Sequence, residues 1–211
     1  MASKHIVKQG ECIESIALEH GFFWETIWNH AGNRELRKQR ANGNVLRPGD
    51  EVHIPDRRTK SLPIETGQRH RFVLKGVPSK LRIIVRVDDE PRPNAPYVLE
   101  VDGKRYEGTA DGQGRIAHPI SPRATRGKLF VGEGNEQQEI TLALGHLDPI
   151  EELSGVQARL NNLGFFCGEV DGETDPLTEQ AIMDFQAHHG LEPSGELDDA
   201  TRGKLLELHG C

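Results

Sequence analysis

The 211-residue sequence is poor in aromatic residues, in cysteine and in long apolar segments. Aromatics make up 5% of it, and the three cysteines are too few and too scattered for a disulfide scaffold or a zinc ribbon. No apolar run approaches the roughly 20 residues of a transmembrane helix, so membrane insertion is not expected. The first residues lack the apolar core of a secretory signal, which predicts synthesis in the cytoplasm without a signal peptide.

An excess of basic charge is also missing. The chain has 33 acidic and 26 basic residues, a net charge of −7, and its basic clusters are short. Nucleic-acid-binding proteins usually need a basic surface to neutralise phosphates, so no nucleic-acid partner is expected. Ten histidines are present, but no CxxC or HExxH spacing occurs, and we expect neither a metal nor another cofactor.

The patterns that indicate catalysis do not occur either. No serine lies in a GxSxG motif, and no P-loop or dinucleotide fingerprint is found. Cys12 lies at a helix start that favours a thiolate, and His5 is a conceivable partner, but a structural thiol is the better interpretation. The sequence therefore predicts a protein that is not an enzyme.

The spacing of apolar residues changes twice along the chain, which predicts a multi-domain α+β protein. Residues 1–56 have the pattern strand, helix, helix, strand, and residues 57–69 are a polar linker. Residues 70–146 contain six or seven short strand-like runs, which favours a small β-sandwich. Residues 147–211 have the pattern of three helices, and we find no internal repeat.

Several local signals support this division. Phe72–Leu74 is the first strand-like run of the central segment, and Asp102-Gly103 and Asp111-Gly112 are hairpin-type turn signals. In the last segment, Asp175-Pro176 opens the second helix. We expect Leu177, on its first turn, to face inward with the later apolar residues of that helix.

The N-terminal segment resembles a LysM module. The resemblance is carried by His5–Glu11, by Ile13, Ile16 and Ala17, and by Leu46–Asp50 followed by Ile54-Pro55. It implies a βααβ fold that binds N-acetylglucosamine-containing glycans between the first strand–helix loop and the loop before the last strand. Carried over to this sequence, the glycan-binding residues are Gly10, Glu11, Cys12, Asn33, Leu46 and Pro48. The charged loop 32–44 is longer than the family loop, and whether it closes the groove stays open.

The C-terminal segment resembles the three-helix peptidoglycan-binding domain found beside many cell-wall hydrolases. The resemblance is carried by Val156-Gln157, Leu160, Leu163–Phe165, Val170–Gly172, Thr178, Ala181, Phe185-Gln186, Gly190-Leu191, Ser194-Gly195 and Thr201. It departs from the family at Asp175, where glycine is common. We expect the apolar members to form the core. The candidate peptidoglycan contacts are Gln157, Asp171, Thr178 and Gln186, with Asp171 also readable as a turn residue.

The central segment looks like the transthyretin-like or immunoglobulin-like sandwiches of bacterial surface and secretion proteins. The combination of the three segments resembles accessory proteins associated with type VI secretion and related contractile injection systems. It implies a non-catalytic peptidoglycan-binding protein, with secretion-apparatus or effector proteins as further partners and delivery to the periplasm or cell wall by the apparatus. The alternative is an adaptor or structural component of that apparatus whose modules no longer bind glycan.

Two further expectations concern individual side chains. Trp24 and Trp28 are four residues apart and share one helix face, where core packing or a partner interface is favoured over stacking on a sugar. Cys167 and Cys211 lie after the first helix and at the end of the third helix of the last segment. A disulfide between them is a possibility that would close a loop of about 45 residues.

Overall fold

The computed structural model describes residues 3–40, 42–57, 63–70, 79–87, 90–134 and 137–210, and it combines helices with several small sheets. Its buried apolar side chains form three separate clusters along the chain. We call residues 3–57 the N-terminal module, residues 79–146 the central β region and residues 147–210 the C-terminal domain. None of the helices in these described ranges has the length and apolar character needed to cross a bilayer.

The N-terminal module pairs its first and last strands and packs short helices against them. Strand β1 (Ser3–Ile6) is antiparallel to β2 (Glu51–Ile54), and α1 (Ile13–His20) and α2 (Trp24–Trp28) follow β1. Helix α1 ends at Gly21, whose φ of 73° is the left-handed conformation that favours glycine. The core of the module consists of Val7, Ile13, Ile16, Ala17, Ile27, Leu36, Leu46, Val52 and Ile54.

The charged stretch after α2 folds into helix rather than an extended loop. A 3₁₀ turn (Ala31–Asn33) leads into α3 (Arg34–Gln39). The amide of Asn33, which is 1% exposed, links this turn to the sheet. Its Nδ2 donates to the carbonyl oxygens of Ile27 and His53 at 2.8 and 2.9 Å, and its Oδ1 accepts the His53 N–H at 2.7 Å. Asn33 thus satisfies backbone groups of two elements, which makes it a structural residue.

The central region is all β within its described residues. Its strands are β3 (Ser79–Ile84), β4 (Arg86–Val87), β5 (Glu90–Pro91), β6 (Pro96–Val101), β7 (Lys104–Thr109), β8 (Arg115–Ile120), β9 (Arg126–Val131) and β10 (Gln138–Ala143). One antiparallel sheet has the order β10-β9-β6-β7, while β3 pairs with β8 and β4 with β5. Inward side chains of β3, β6, β8 and β9 share one apolar cluster. The predicted run Phe72–Leu74 lies outside the described residues.

Period-two alternation explains how the larger sheet buries one face. Along β6, Tyr97, Leu99 and Val101 are buried, while the residues between them are partly exposed. The β6–β7 hairpin turns at Asp102-Gly103, with φ values of 53° and 69°. Two consecutive left-handed residues are what a two-residue hairpin requires, so this predicted turn is confirmed.

The C-terminal domain consists of α4 (Leu153–Asn162), α5 (Pro176–His188) and α6 (Asp199–His209). Asp175 caps α5, with Pro176 at its first position as the sequence predicted, and Asp198 caps α6. The core contains Ile150, Val156, Leu160, Cys167, Ala181, Ile182, Phe185 and Leu205. Phe165 and Phe185 meet edge to face in this core, with ring centroids 5.3 Å apart.

The prediction that the chain has no internal repeat is wrong for this domain. Gln157 on α4 and Gln186 on α5 each accept a backbone N–H of the loop that follows their helix. The sequence from each of these loops into the next helix has the spacing Gly-x-x-Asp-x-x-Thr. The two sets are Gly172, Asp175 and Thr178, and Gly195, Asp198 and Thr201. In both, the Asp caps the next helix by accepting the Thr N–H at 2.7 Å. The repeat was missed because only three positions in each loop, all polar, are shared.

Trp28 provides a first test of packing in the N-terminal module. Its ring is half-buried against the core, with Cε3 3.2 Å from the position a Cβ on Gly43 would take. Replacing it with Ala removes the packing of the ring against Gly43 and the core of the module. We therefore expect Trp28→Ala to lower the free energy of unfolding by about 3 kcal/mol. Urea unfolding followed by the fluorescence of Trp24 measures the loss. Phe23→Ala, at a 58% exposed neighbour, is the control and should cost less than about 1 kcal/mol.

The same experiment separates packing from sugar stacking. A Trp28→Ala variant that unfolds at the wild-type urea concentration but loses glycan binding would contradict the packing role.

Candidate functional site

The six N-terminal residues predicted to bind glycan do not all reach the surface. Leu46 is a core residue at 4% exposure, and Asn33 is buried as described above. Gly10, Glu11 and Cys12 are half-buried, and Pro48 is exposed. Asn33 and Leu46 are therefore buried structural residues and not the direct glycan contacts that the sequence predicted.

Glu11 is held by groups of its own module. His5 Nε2 lies 2.7 Å from Glu11 Oε2, and the same oxygen accepts the Lys8 N–H at 2.9 Å. Burial on its own would raise the pKa of Glu11, but the hydrogen bonds from His5 and Lys8 outweigh it and lower that pKa. His20 Nε2 lies 3.5 Å from His5 Nδ1, on the other side of the His5 ring. Glu11 therefore stabilises the loop that carries Gly10.

That loop is in contact with the segment between β10 and α4. A Cβ placed on Gly10 would lie 3.8 Å from His146 Nε2, and one placed on Gly145 would lie 2.8 Å from the Gly10 carbonyl oxygen. Arg47, beside Pro48, forms a 2.7 Å ion pair with Glu152. The chain itself thus covers part of the face predicted to bind glycan.

In the C-terminal domain, Gln157 is a buried organiser rather than a surface residue. It is 1% exposed, and its Nε2 lies 3.0 to 3.2 Å from Asp171 Oδ1, the Glu173 carbonyl oxygen and Thr178 Oγ1. Its Oε1 accepts the Gly172 N–H at 2.8 Å. Thr178 is also buried. This internal hydrogen bonding leaves neither Gln157 nor Thr178 available for direct ligand contact.

Gln186 repeats the arrangement in the second loop. At 1% exposure, its Nε2 donates to the Glu196 carbonyl oxygen and to Thr201 Oγ1, both at 2.9 Å, and its Oε1 accepts the Gly195 N–H at 2.9 Å. Of the four predicted peptidoglycan contacts, only Asp171 is exposed. The other three build the scaffold that holds the loops.

The large exposed apolar side chains of the domain lie on the first loop, at Phe166 and Val170, and on α5, at Leu177 and Met183. Phe166 is 74%, Val170 47% and Leu177 52% exposed, and Leu177 Cδ1 lies 3.7 Å from the position a Cβ on Gly168 would take. We call Phe166, Val170 and Leu177 the loop patch. The expectation that Leu177 faces inward is wrong, because the first turn of α5 packs over the loop rather than over the core.

The loop patch belongs to the part of the domain in which the two repeats differ. The first loop joins α4 to α5 through residues 163–175, 13 residues, whereas the second joins α5 to α6 through residues 189–198, only 10 residues. Counted from the ends of α4 and α5, Phe166 corresponds to Glu192 in the second loop. Counted from Gly172 and Gly195, Val170 corresponds to Pro193 and Leu177 to Ala200. The shared scaffold therefore does not need large exposed apolar side chains at these positions, which marks them as a candidate contact surface.

The surroundings of the loop patch are acidic. Residues 166–180 contain five carboxylates, at Glu169, Asp171, Glu173, Asp175 and Glu179, and no Lys, Arg or His, and all five are exposed. The Glu173 N–H and the Gln157 side chain lower the pKa of Asp171. The Thr178 N–H and hydroxyl lower the pKa of Asp175. The surface therefore remains negatively charged at neutral pH.

The capping aspartates predict how the domain responds to acid. Hydrogen bonds from Thr201 lower the pKa of Asp198, as those from Thr178 do for Asp175. Because the folded pKa lies below the unfolded value of about 3.9, the caps stabilise the domain above that pH. This stabilisation is lost as the pH falls through the folded value.

We therefore expect a variant carrying both Asp175→Asn and Asp198→Asn to lose less stability between about pH 4 and pH 2 than the wild type. Asparagine still caps a helix but does not titrate there. Helix content by circular dichroism during acid titration measures the difference, with Asp184→Asn on α5 as the control. If the helix content falls equally steeply with pH in the double variant and in the wild type, Asp175 and Asp198 are not the titrating caps that we describe.

The cysteines and the possible metal ligands add no site of their own. Cys167 is a buried free thiol whose Sγ lies 3.3 Å from the Gln157 carbonyl oxygen, and burial raises its pKa. Cys211 lies outside the described residues, so a bridge between the two stays a prediction. Over the part of the chain that the structure describes, no group of three or more His, Cys, Asp or Glu side chains is placed to hold a metal ion.

Comparison with known proteins agrees with the geometry of the C-terminal domain. Residues 151–205 match the family described as putative peptidoglycan binding domain. This family describes a binding domain rather than a catalytic one, and the match includes α4, α5, the first part of α6 and the loop patch. No curated protein and no solved structure matches the chain.

Proposed function

We propose that this protein is a non-catalytic peptidoglycan-binding protein and that its loop patch contacts the ligand. The family match of residues 151–205 carries the proposal, because it supports a peptidoglycan-binding role for the domain to which the loop patch belongs. The loop patch adds apolar surface, and the buried Gln157 anchors the loop beneath it by accepting the Gly172 N–H. A preorganised surface loses less conformational entropy on binding than a flexible one.

We propose a second, weaker contact in the N-terminal module, on the basis of its resemblance to LysM modules. The supporting features are the paired strands β1 and β2, the exposed Pro48 and the half-buried Gly10–Cys12 loop. Both tryptophans of the chain lie in this module. Titration with soluble N-acetylglucosamine oligomers should therefore change tryptophan emission if the module binds glycan.

The alternative function is that of an adaptor in a type VI secretion or contractile injection apparatus, with delivery from the cytoplasm to the cell wall. The contact of Gly145 with Gly10 and the Arg47–Glu152 ion pair favour it, because they occupy part of the glycan-binding face. Under this alternative, the N-terminal module binds proteins. The two functions are compatible if the apparatus carries the protein to the wall.

Sedimentation of the full chain with insoluble peptidoglycan tests the main proposal. We expect wild-type protein to pellet and Phe166→Ser to bind roughly fivefold more weakly, the loss that about 1 kcal/mol of contact energy produces. Because Phe166 is 74% exposed, the substitution should leave the fold intact. Phe23→Ser, at a 58% exposed position in the N-terminal module, is the matched control. Failure of the wild type to pellet above an unrelated protein would overturn the proposal.

A further inference from the structure

The segment that joins the central β region to the C-terminal domain lies against both loops of the proposed glycan contact in the N-terminal module. We call residues 145–152 the connector. We propose that the connector is a reversible mask, which excludes glycan from the N-terminal module while it is closed and is released when the Arg47–Glu152 ion pair weakens. This inference rests on the proposed glycan contact of that module and specifies how the contact is regulated.

The two ends of the connector contact different loops. At its start, a Cβ on Gly145 would lie 2.8 Å from the Gly10 carbonyl oxygen, and a Cβ on Gly10 would lie 3.8 Å from His146 Nε2. At its end, Glu152 Oε1 lies 2.7 Å from Arg47 Nη1. Gly10 belongs to the first loop of the module, and Arg47 belongs to the turn before β2. A glycan that occupies both loops therefore competes with the connector for them.

From Asp148 onward, the connector is held by the C-terminal domain. The Asp148 carbonyl oxygen accepts a hydrogen bond from Arg159 Nη1 at 2.9 Å, and its carboxylate accepts the Ser154 hydroxyl at 2.7 Å. Ile150, at 8% exposure, packs in the core of the domain. The connector therefore moves with the C-terminal domain, and unmasking separates the N-terminal module from that domain.

The contacts of the connector with the N-terminal module lie near the surface. The side chains of Arg47 and Glu152 are 54% and 30% exposed, and Gly145 and His146 are also exposed. An ion pair with this exposure is screened by salt and shifts an equilibrium by about fivefold or less. Weakening the pair therefore changes the open fraction severalfold and leaves both modules folded.

Gly145 is needed for the close approach to the Gly10 loop. Its φ of 73° is left-handed, and the atom 2.8 Å from its added Cβ is a backbone oxygen, which cannot turn aside as a side chain can. Gly145→Ala should therefore push the connector away from the loop. Gly103→Ala is the matched control, because its φ of 69° imposes the same strain and nothing lies within 4 Å of its added Cβ.

The mask is tested first without glycan, by the amide NMR shifts of the full chain. Each variant is read at the opposite end of the connector: Glu152→Gln at the Gly10 N–H, and Gly145→Ala at the Arg47 N–H. We expect both shifts to move, because release of one end frees the other. Glu192→Gln, at an exposed carboxylate after α5, and Gly103→Ala should leave them unchanged. If neither variant moves the shift at the opposite end, the inference is overturned.

Calorimetric titration of the full chain with soluble N-acetylglucosamine oligomers then tests exclusion. We expect Glu152→Gln and Gly145→Ala to bind about two- to fivefold more tightly than the wild type, because a larger open fraction lowers the apparent Kd. Both substitutions lie outside the N-terminal module and leave its own residues intact. Wild-type binding should also strengthen as sodium chloride is raised, since the oligomer is uncharged and salt acts on the ion pair.

The outcomes separate the mask from the contact that it covers. Wild-type affinity in both variants, with the NMR shifts displaced, would overturn the inference and leave the proposed glycan contact standing. Absence of binding by the wild type and by both variants would overturn the proposed contact and the inference with it. The Phe166→Ser sedimentation experiment tests the C-terminal domain separately.

Discussion

The Gln186→Leu variant should lose about 4 kcal/mol of the stability of the C-terminal domain. Leucine has a similar volume, so the loss comes from hydrogen bonding rather than from a cavity. The substitution leaves the Gly195 N–H and the Glu196 carbonyl without their partner and removes one bond to the buried Thr201 hydroxyl. Each unsatisfied buried group costs about 1–3 kcal/mol.

The measurement must report on the C-terminal domain alone. Both tryptophans lie in the N-terminal module, so tryptophan fluorescence would not detect this loss. Amide hydrogen exchange of α4, α5 and α6 in the full chain gives the local free energy of opening. Gln180→Leu is the matched control, because Gln180 lies on the same helix and only bonds Asp184 at the surface. If the two variants show equal protection, Gln186 is not the organiser we describe.

The Arg40→Leu variant should lose about 3–5 kcal/mol in the N-terminal module. Arg40 Nε and Nη2 donate to the two oxygens of Asp50, each at 2.8 Å, and these side chains are 11% and 10% exposed. The hydrogen bonds that Arg40 donates to Asp50 raise the pKa of Arg40. Without Arg40, a nearly buried carboxylate keeps only the Arg47 N–H as its partner within the described residues.

Urea unfolding followed by tryptophan fluorescence measures this loss directly. Lys4→Ala is the control, since the Lys4–Glu51 pair is shorter, at 2.5 Å, but both side chains are more than half exposed. Exposed pairs contribute about 1 kcal/mol or less. Arg40→Lys should give an intermediate loss, because it keeps the charge but not the two parallel hydrogen bonds. A loss no larger than that of Lys4→Ala would show that the pair does not hold the Leu46–Asp50 turn.

The Arg40–Asp50 pair also bears on how the N-terminal module meets the rest of the chain. The turn that it stabilises carries Arg47, whose partner Glu152 lies at the start of the C-terminal domain. Arg159, 1% exposed, donates to the Asp148 carbonyl oxygen at 2.9 Å and so holds the same segment on the domain. The two candidate binding modules are therefore connected by an ion pair as well as by sequence.

Much of the local structure followed from neighbouring residues. The helix start at Asp175-Pro176 and the Asp102-Gly103 hairpin were both predicted from the sequence. Each depends on the backbone preferences and hydrogen bonds of residues within about four positions, which sequence displays directly. The resemblance of the last segment to a peptidoglycan-binding domain was likewise visible, and the match of residues 151–205 supports it.

The direction of individual side chains required the tertiary structure. Gln157, Thr178 and Gln186 were predicted to contact ligand because amides and hydroxyls can satisfy the polar groups of sugars and peptides, yet all three are buried. A polar side chain is stable inside only if partners meet it there, and those partners are loop residues up to 21 positions away. Asn33 depends in the same way on His53.

The exposure of the apolar loop patch also depends on the tertiary structure. Leu177 has the apolar character of a core residue, and its periodicity places it with Ala181 and Phe185. It is exposed although Thr178 beside it is buried, because the first turn of α5 turns Thr178 toward Gln157 and leaves Leu177 beside the loop at Gly168. Sequence determined the helices, caps and turns of this protein through local interactions. The long-range packing of helices and loops decided which of its polar and apolar residues reach the surface where a ligand binds.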